Sequence, residues 1–249
     1  MTMYAEAWKT PPAELVLSRD DVHVWRAALD VPAEYLHRLQ QSLSIDELSR
    51  AERFHFEKDR WHFVVGRGLL RTILARYQDC EAHQLCFRYS EYGKPALVMR
   101  SSQGGLCFNL SRSRGLALFA VSREREMGVD LEYMRTNVDV EQIVDRFFTP
   151  HEVATFRTVP ISMRREAFFN GWVRKEAYIK ARGEGLSLPL DQFDVSLAPG
   201  APAALLSTRG EAQDVLRWSL RALDPGPDYK AAIVVEGHAW HLSCWQWPA

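Results

Sequence analysis

Two long segments with apolar residues at helical spacing most constrain how this chain can fold: 59–77 (DRWHFVVGRGLLRTILARY) and 163–181 (MRREAFFNGWVRKEAYIKA). Both are followed by short β-like runs. Arg53 and Phe54 precede a helix containing Phe63, Val64, Val65 and Gly66; Arg146, Phe147 and Phe148 precede a helix containing Phe168, Phe169, Asn170 and Gly171. Helices followed by strands, twice over, predict an α+β fold of two similar halves, 1–124 and 125–249, joined near Arg123–Met127. The match is short, and duplication and coincidence both account for it.

Local signals fill in the halves. HVWRAAL (23–29) reads as a first strand. Ser44 with Glu47 three residues on is a capping box, starting a helix that runs to about Phe56. LCFRYSEYGKPAL is a pair of β pieces broken by Gly93 and Pro95; LCFNLSRSRGLALFAVSR is two strands around a polar turn, and MGVDLEYM alternates like a half-buried strand. VEQIVDRFF is a short helix. Thr149, Pro150 and Glu152 start another, and Gly183 and Gly185 end the long one. FDVSLA, VLRWSLRAL, YKAAIVVE and AWHLSCWQW read as strands, and APGAPAALLSTRG as a surface loop.

Composition limits the partners. Of 249 residues 47% are hydrophobic, enough for a packed core, and the formal net charge of −1 gives no global field for nucleic acid or a membrane surface. The opening segment MTMYAEAWKTPPAEL is not a secretory signal, and no apolar run approaches the roughly 18 residues of a membrane span. Cys80, Cys86, Cys107 and Cys244 form no CxxC pair and read as buried thiols of a reducing compartment. The expectation is a soluble cytoplasmic protein whose anion sites are local.

Four motifs carry chemistry. In GVDLE, Asp130 and Glu132 stand two apart on a strand and so share a face, with Leu131 turned to the core. Paired carboxylates invite a hard cation such as magnesium, although a solvated strand face is the commoner meaning of such a pair. Trp172, Glu176 and Lys180, spaced by four, share a helix face; Glu176 fits a third ligand or a base and Lys180 a phosphate contact, against the plain reading of an i, i+4 ion pair. Glu91-Tyr-Gly-Lys-Pro95 brings a glycine, a point charge and a stiff turn to one place, which suits an anion or an ordinary β-turn. Asn109-Leu-Ser-Arg-Ser113 sets hydroxyls and a guanidinium together, which suits a phosphate or a polar hairpin loop.

Taken in order, FRYSEYGKPAL, FNLSRS, GVDLE and WVRKEAYIKARGEGLSLPL resemble the phosphopantetheinyl transferase superfamily, specifically its long, Sfp-like type. The resemblance extends more loosely from about Ser44 to Val195. It implies two α+β subdomains related by a pseudo-twofold, with coenzyme A in the cleft between them. It further implies transfer of the 4′-phosphopantetheine arm to a serine of an apo acyl or peptidyl carrier protein, with release of 3′,5′-ADP. Asp130, Glu132 and Glu176 would hold Mg2+; Glu176 and Lys180 would be catalytic. Gly93, Lys94, Pro95, Ser111, Arg112 and Lys180 would contact coenzyme A, with Arg50 and His62 at the 3′-phosphate. The chain departs from the family where Arg112 replaces a usual histidine and His62 a frequent arginine. Arginine keeps a phosphate grip and gives up any proton role. A cleft complete within one chain implies a monomer.

Other readings of the same residues stay open: a carrier-protein binder of the same fold without chemistry, and a magnesium-dependent hydrolase of coenzyme A. A zinc site at His238, His241 and Cys244 lacks a partner motif, and no GxSxG elbow supports a serine hydrolase.

Overall fold

The structure, a computed structural model, describes residues 7–98, 105–210 and 213–248. The first six residues of the opening segment therefore lie outside the described residues. Strand β1 (Asp21–Ala28) is followed by helices α1 (Ala33–Gln40), α2 (Ile45–Ala51) and α3 (Glu57–Ala75). A small ribbon, β2 (Phe87–Tyr89) and β3 (Pro95–Leu97), leads to β4 (Leu106–Ser113) and β5 (Leu116–Arg123). The same sequence of elements then recurs. Strand β6 (Met127–Tyr133) is followed by α4 (Val140–Phe147), α5 (Pro150–Thr158) and α6 (Ile161–Arg182). The ribbon β7 (Phe193–Val195) and β8 (Leu205–Thr208) precedes α7 (Asp214–Arg217), β9 (Trp218–Leu223) and β10 (Tyr229–Glu236). A last strand, β11 (His241–Gln246), has no counterpart among the described residues of the first series.

The strands form two main sheets, β11-β1-β5-β4 and β6-β10-β9, so that β1-β5-β4 and β6-β10-β9 run in matching order. Strand β11 lies parallel to β1, pairing Asp21 with His241 and Arg26 with Gln246; the other ladders of both sheets are antiparallel. Period-two alternation sorts the side chains into layers. Val22, Val24, Leu118 and Ala120 of one sheet meet Val129, Leu131, Ile233 and Val235 of the other in a core between the sheets. Trp25, Ala27, Phe119 and Val121 face the opposite way, onto Leu69, Leu70, Ile73 and Leu74 of α3. On the far side Ala232 and Val234 meet Val173, Ala177 and Ala181 of α6. The order of layers is thus helix, sheet, sheet, helix. Each fully buried leucine of this core is worth about 1.5–3 kcal/mol.

Capping boxes form at Ser44 and at Thr149, and the glutamate of each, Glu47 or Glu152, is buried. Glu47 accepts from Ser44 N at 3.1 Å and also from Arg67 Nε at 2.8 Å and Arg71 Nε at 2.6 Å, both on α3. Glu152 accepts from Thr149 N at 2.9 Å and pairs with Lys175 Nζ of α6 at 2.8 Å. The cap glutamate precedes the helix glycine, Gly66 or Gly171, by the same spacing in both series.

The structure differs from the sequence expectations at several elements. Helix α2 ends at Ala51 rather than near Phe56, closing in turns in which Arg53 N and Phe54 N bond back to Arg50 O and Ala51 O. Helix α1 was not expected; it follows Pro32 and buries Leu39. The segment read as one strand from Val215 begins as α7 and extends only from Trp218. Part of the expected surface loop, Leu205–Thr208, pairs with β7. Of the four cysteines only Cys244 is buried: Cys80 and Cys107 are half-buried and Cys86 is exposed. No described helix is long and apolar enough to cross a membrane.

Candidate active site

The alternation of β6 determines where its carboxylates go. Met127, Val129 and Leu131 enter the core between the sheets, so Gly128, Asp130 and Glu132 face α6. Glycine is required at 128: a Cβ there would sit 2.1 Å from Ala177 O and 2.3 Å from Ala181 N. The bare backbone lets α6 lie close against β6 and brings Glu176 and Lys180 over Asp130. Leu110, Ser111 and Arg112 of β4 close the space from the first series, and Trp172 from α6, giving a cleft of about 430 Å³.

Asp130 is buried. Its Oδ1 accepts from Ser111 Oγ at 2.8 Å and from Lys180 Nζ at 2.7 Å; its Oδ2, also buried, has no partner among the described residues. Lys180 Nζ also donates to Ser111 Oγ at 3.1 Å and Val129 O at 3.3 Å. The lysine therefore pairs with Asp130 on the sheet, and not with Glu176 one turn back on its own helix. Glu132 Oε2 accepts from Ser113 Oγ at 2.9 Å, with Arg135 at 3.7 Å. Glu176 has no hydrogen-bond or ion-pair partner among the described residues. Burial raises the carboxyls of Glu132 and Glu176 above the ordinary glutamate range, and the Asp130 charge adds to both. No three His, Cys, Asp or Glu side chains among the described residues stand together closely enough to hold one ion. The cluster is nonetheless one a divalent cation fits: an orphaned buried carboxylate oxygen of Asp130, and two neighbouring carboxyls pushed toward protonation by burial and by the Asp130 charge.

A second hollow of about 300 Å³ adjoins the first, sharing Leu110, Glu176 and Lys180, and is lined by Tyr92, Gly93, Lys94 and Pro95. Gly93 has φ +79°, the left-handed turn its lack of a Cβ allows. Lys94 Nζ bonds Glu126 Oε2 at 2.7 Å and Ala181 O at 3.2 Å, tying the ribbon turn to the end of α6.

The remaining expected residues lie around Phe63. The Arg50 and Arg112 guanidiniums each stand 5.6 Å from the centre of its ring. Arg112 Nη1 donates to His62 O at 3.0 Å, while the His62 ring bonds Asp30 Oδ1 at 2.9 Å. Burial, then the charges of Arg67 and Arg50, pull the Arg112 guanidinium below its usual value. Arg67, held by Glu47 at 2.8 Å, is thus a neighbouring cation of Arg112 that the motifs did not indicate. Asp130, Glu132, Glu176, Lys180, Ser111, Arg112, Gly93, Lys94 and Pro95 thus line one or other of the two hollows, whereas Arg50 and His62 line neither and lie at the Phe63 end.

The family model described as 4′-phosphopantetheinyl transferase superfamily matches residues 126–234, and that described as 4′-phosphopantetheinyl transferase, N-terminal, matches residues 26–124. The chain is 41% identical to 4′-phosphopantetheinyl transferase HetI of Nostoc sp., over 98% of this chain and 100% of that protein. It is 28% identical to a 4′-phosphopantetheinyl transferase of Bacillus subtilis over 79% of this chain and 83% of the relative. With Sfp of Bacillus subtilis the figure is 29%, over 64% and 69%.

Proposed function

The chain belongs to the 4′-phosphopantetheinyl transferase superfamily, and from that premise we propose that it moves the 4′-phosphopantetheine arm of coenzyme A to a serine of an apo acyl or peptidyl carrier protein, releasing 3′,5′-ADP. The observation that carries the reading is the convergence of Asp130, Glu132, Glu176 and Lys180 in one cleft beside the Gly93–Pro95 turn. Asp130, Glu132 and Glu176 hold Mg2+ in this reading. The ion supplies charge neutralisation at the pyrophosphate of coenzyme A.

The chain's own groups do the rest. Lys180 leaves Asp130 for a pyrophosphate oxygen and steadies the departing nucleotide. Glu176 accepts the proton of the attacking carrier serine. Gly93, Lys94, Pro95, Ser111 and Arg112 border the nucleotide, and Arg50 and His62 serve the 3′-phosphate. Arg112 offers a permanent charge. The reading includes a division at 124/125 into subdomains related by a pseudo-twofold, supported by the matching element order. It extends to a soluble cytoplasmic monomer with no nucleic-acid or membrane partner, supported by a cleft to which both series contribute.

Intact-protein mass spectrometry tests it. An apo carrier protein incubated with this chain, coenzyme A and Mg2+ gains one phosphopantetheine group; a carrier Ser→Ala variant gains none, and EDTA stops the gain. Free phosphopantetheine without carrier modification would replace the transferase with a hydrolase. Coenzyme A binding without either product would leave a binder.

A further inference from the structure

Strands β4 and β6 are the outer strands of their sheets and lie side by side across the junction between them. Among the described residues no strand ladder joins them. Side chains at alternate positions of β4 make the connection. Asn109 Oδ1 accepts from Val129 N at 2.9 Å, Ser111 donates to Asp130, and Ser113 donates to Glu132 Oε2 at 2.9 Å while accepting from Tyr133 N at 3.1 Å.

The three contacts differ in what they hold. Asn109 holds backbone only. Ser111 shares its carboxylate with Lys180. Ser113 provides the one close hydrogen bond to the Glu132 carboxylate among the described residues, since Arg135 stands off at 3.7 Å. Its direction is fixed. A backbone N–H only donates, so Tyr133 N occupies the lone-pair side of Ser113 Oγ, and the single hydroxyl proton is left for Glu132. Oε2 is thereby pinned, and a side chain with three rotatable bonds is held to one arrangement, with Oε1 left for another partner.

We propose that Ser113 is a positioning residue for Glu132: the relay from Tyr133 N–H through the Ser113 hydroxyl to Oε2 holds this carboxylate ready for a divalent cation. The first-series sheet then sets cation affinity across the junction, although the cation's carboxylates all belong to β6 and α6. This rests on the cation reading proposed above. Polar partners that orient a metal-binding carboxylate typically govern metal affinity by about 10–100-fold.

The test is a Mn2+ titration of the full chain in the presence of coenzyme A, with free Mn2+ followed by electron paramagnetic resonance and thermal unfolding recorded in EDTA. Ser113→Ala weakens Mn2+ binding about tenfold or more. Ser113→Thr, which keeps the hydroxyl, restores it. Tyr229→Phe removes another junction hydrogen bond, from Tyr229 Oη to Arg114 O, that touches no carboxylate; it lowers the unfolding temperature in EDTA and leaves Mn2+ affinity as in the wild type. Wild-type affinity in Ser113→Ala overturns the proposal, as does an equal loss in Ser113→Ala and Tyr229→Phe, which would make the role one of packing. Absence of Mn2+ binding by the wild type would overturn the cation reading itself, and the positioning role with it.

Discussion

Glu176 is the side chain on which the proposed chemistry turns. It sits half-buried, without a protein partner among the described residues, and its carboxyl is raised by burial and then by the charge of Asp130. Glu176→Gln keeps the size of the side chain and removes both the negative charge and the capacity to take a proton. Transfer to a carrier protein is expected to fall by at least about 100-fold while the unfolding temperature holds or rises, because the variant relieves a like-charge contact. Carrier modification timed by mass spectrometry checks this, and near-wild-type turnover removes Glu176 from the mechanism. At this scale much was readable from sequence. Period two put Asp130 and Glu132 on one face, and the four-residue spacing put Trp172, Glu176 and Lys180 on another. The choice of Lys180 for Asp130 over Glu176 was not readable, because it depends on how closely a helix and a strand far apart in sequence approach.

That approach belongs to the elements. Gly128 has no room for a side chain against Ala177 O and Ala181 N, both backbone atoms that cannot swing aside. Gly128→Ala must push β6 and α6 apart. Overpacking of this kind costs about 1–3 kcal/mol, and the same displacement draws Asp130 away from Lys180. A lower unfolding temperature together with slower transfer is expected; a fall in stability with transfer intact would show that the cleft tolerates a looser helix. The requirement for glycine was hidden in the sequence, where the GVDLE motif advertises its acids and not the bare backbone beside them. Elements with strong caps, such as those at Ser44 and Thr149, were legible. Helix α1 and strand β8 were not, since α1 has no side-chain cap and β8 is formed by its pairing with β7 rather than by a local pattern.

For the molecule as a whole, the helix–sheet–sheet–helix order was only partly legible. The repeat announced two series, but the packing of the sheets on each other is a property of both together. Strand β11 ties the last described strand to the first. At that junction His23 of β1 lies buried against Tyr77 and Trp245. Trp25 Nε1 donates to the Tyr77 oxygen at 2.8 Å, and the Tyr77 hydroxyl shares a second hydrogen bond with His23 Nδ1, also at 2.8 Å. Burial lowers the His23 pKa from 6.5 to about 4, against an opposing pull from Asp21. As pH falls through that window the unfolded chain takes up a proton that the folded chain refuses, so stability drains away, by up to about 3 kcal/mol. Unfolding temperatures measured between pH 7 and about 4 should fall less steeply in His23→Gln, which can still hydrogen-bond Tyr77 and does not titrate in this range. An unchanged slope would move the acid sensitivity elsewhere.

The pairing of β11 with β1 also has a consequence for synthesis on the ribosome. The inner edge of β1 waits, unpaired, while the rest of the chain is made, because the strand that covers it is translated last of those described. Until then the nascent first half exposes backbone donors and acceptors that would pair with any passing strand. Completion of the earliest sheet is thus a late event, and this edge of the nascent chain stays open to stray pairing until β11 has been made.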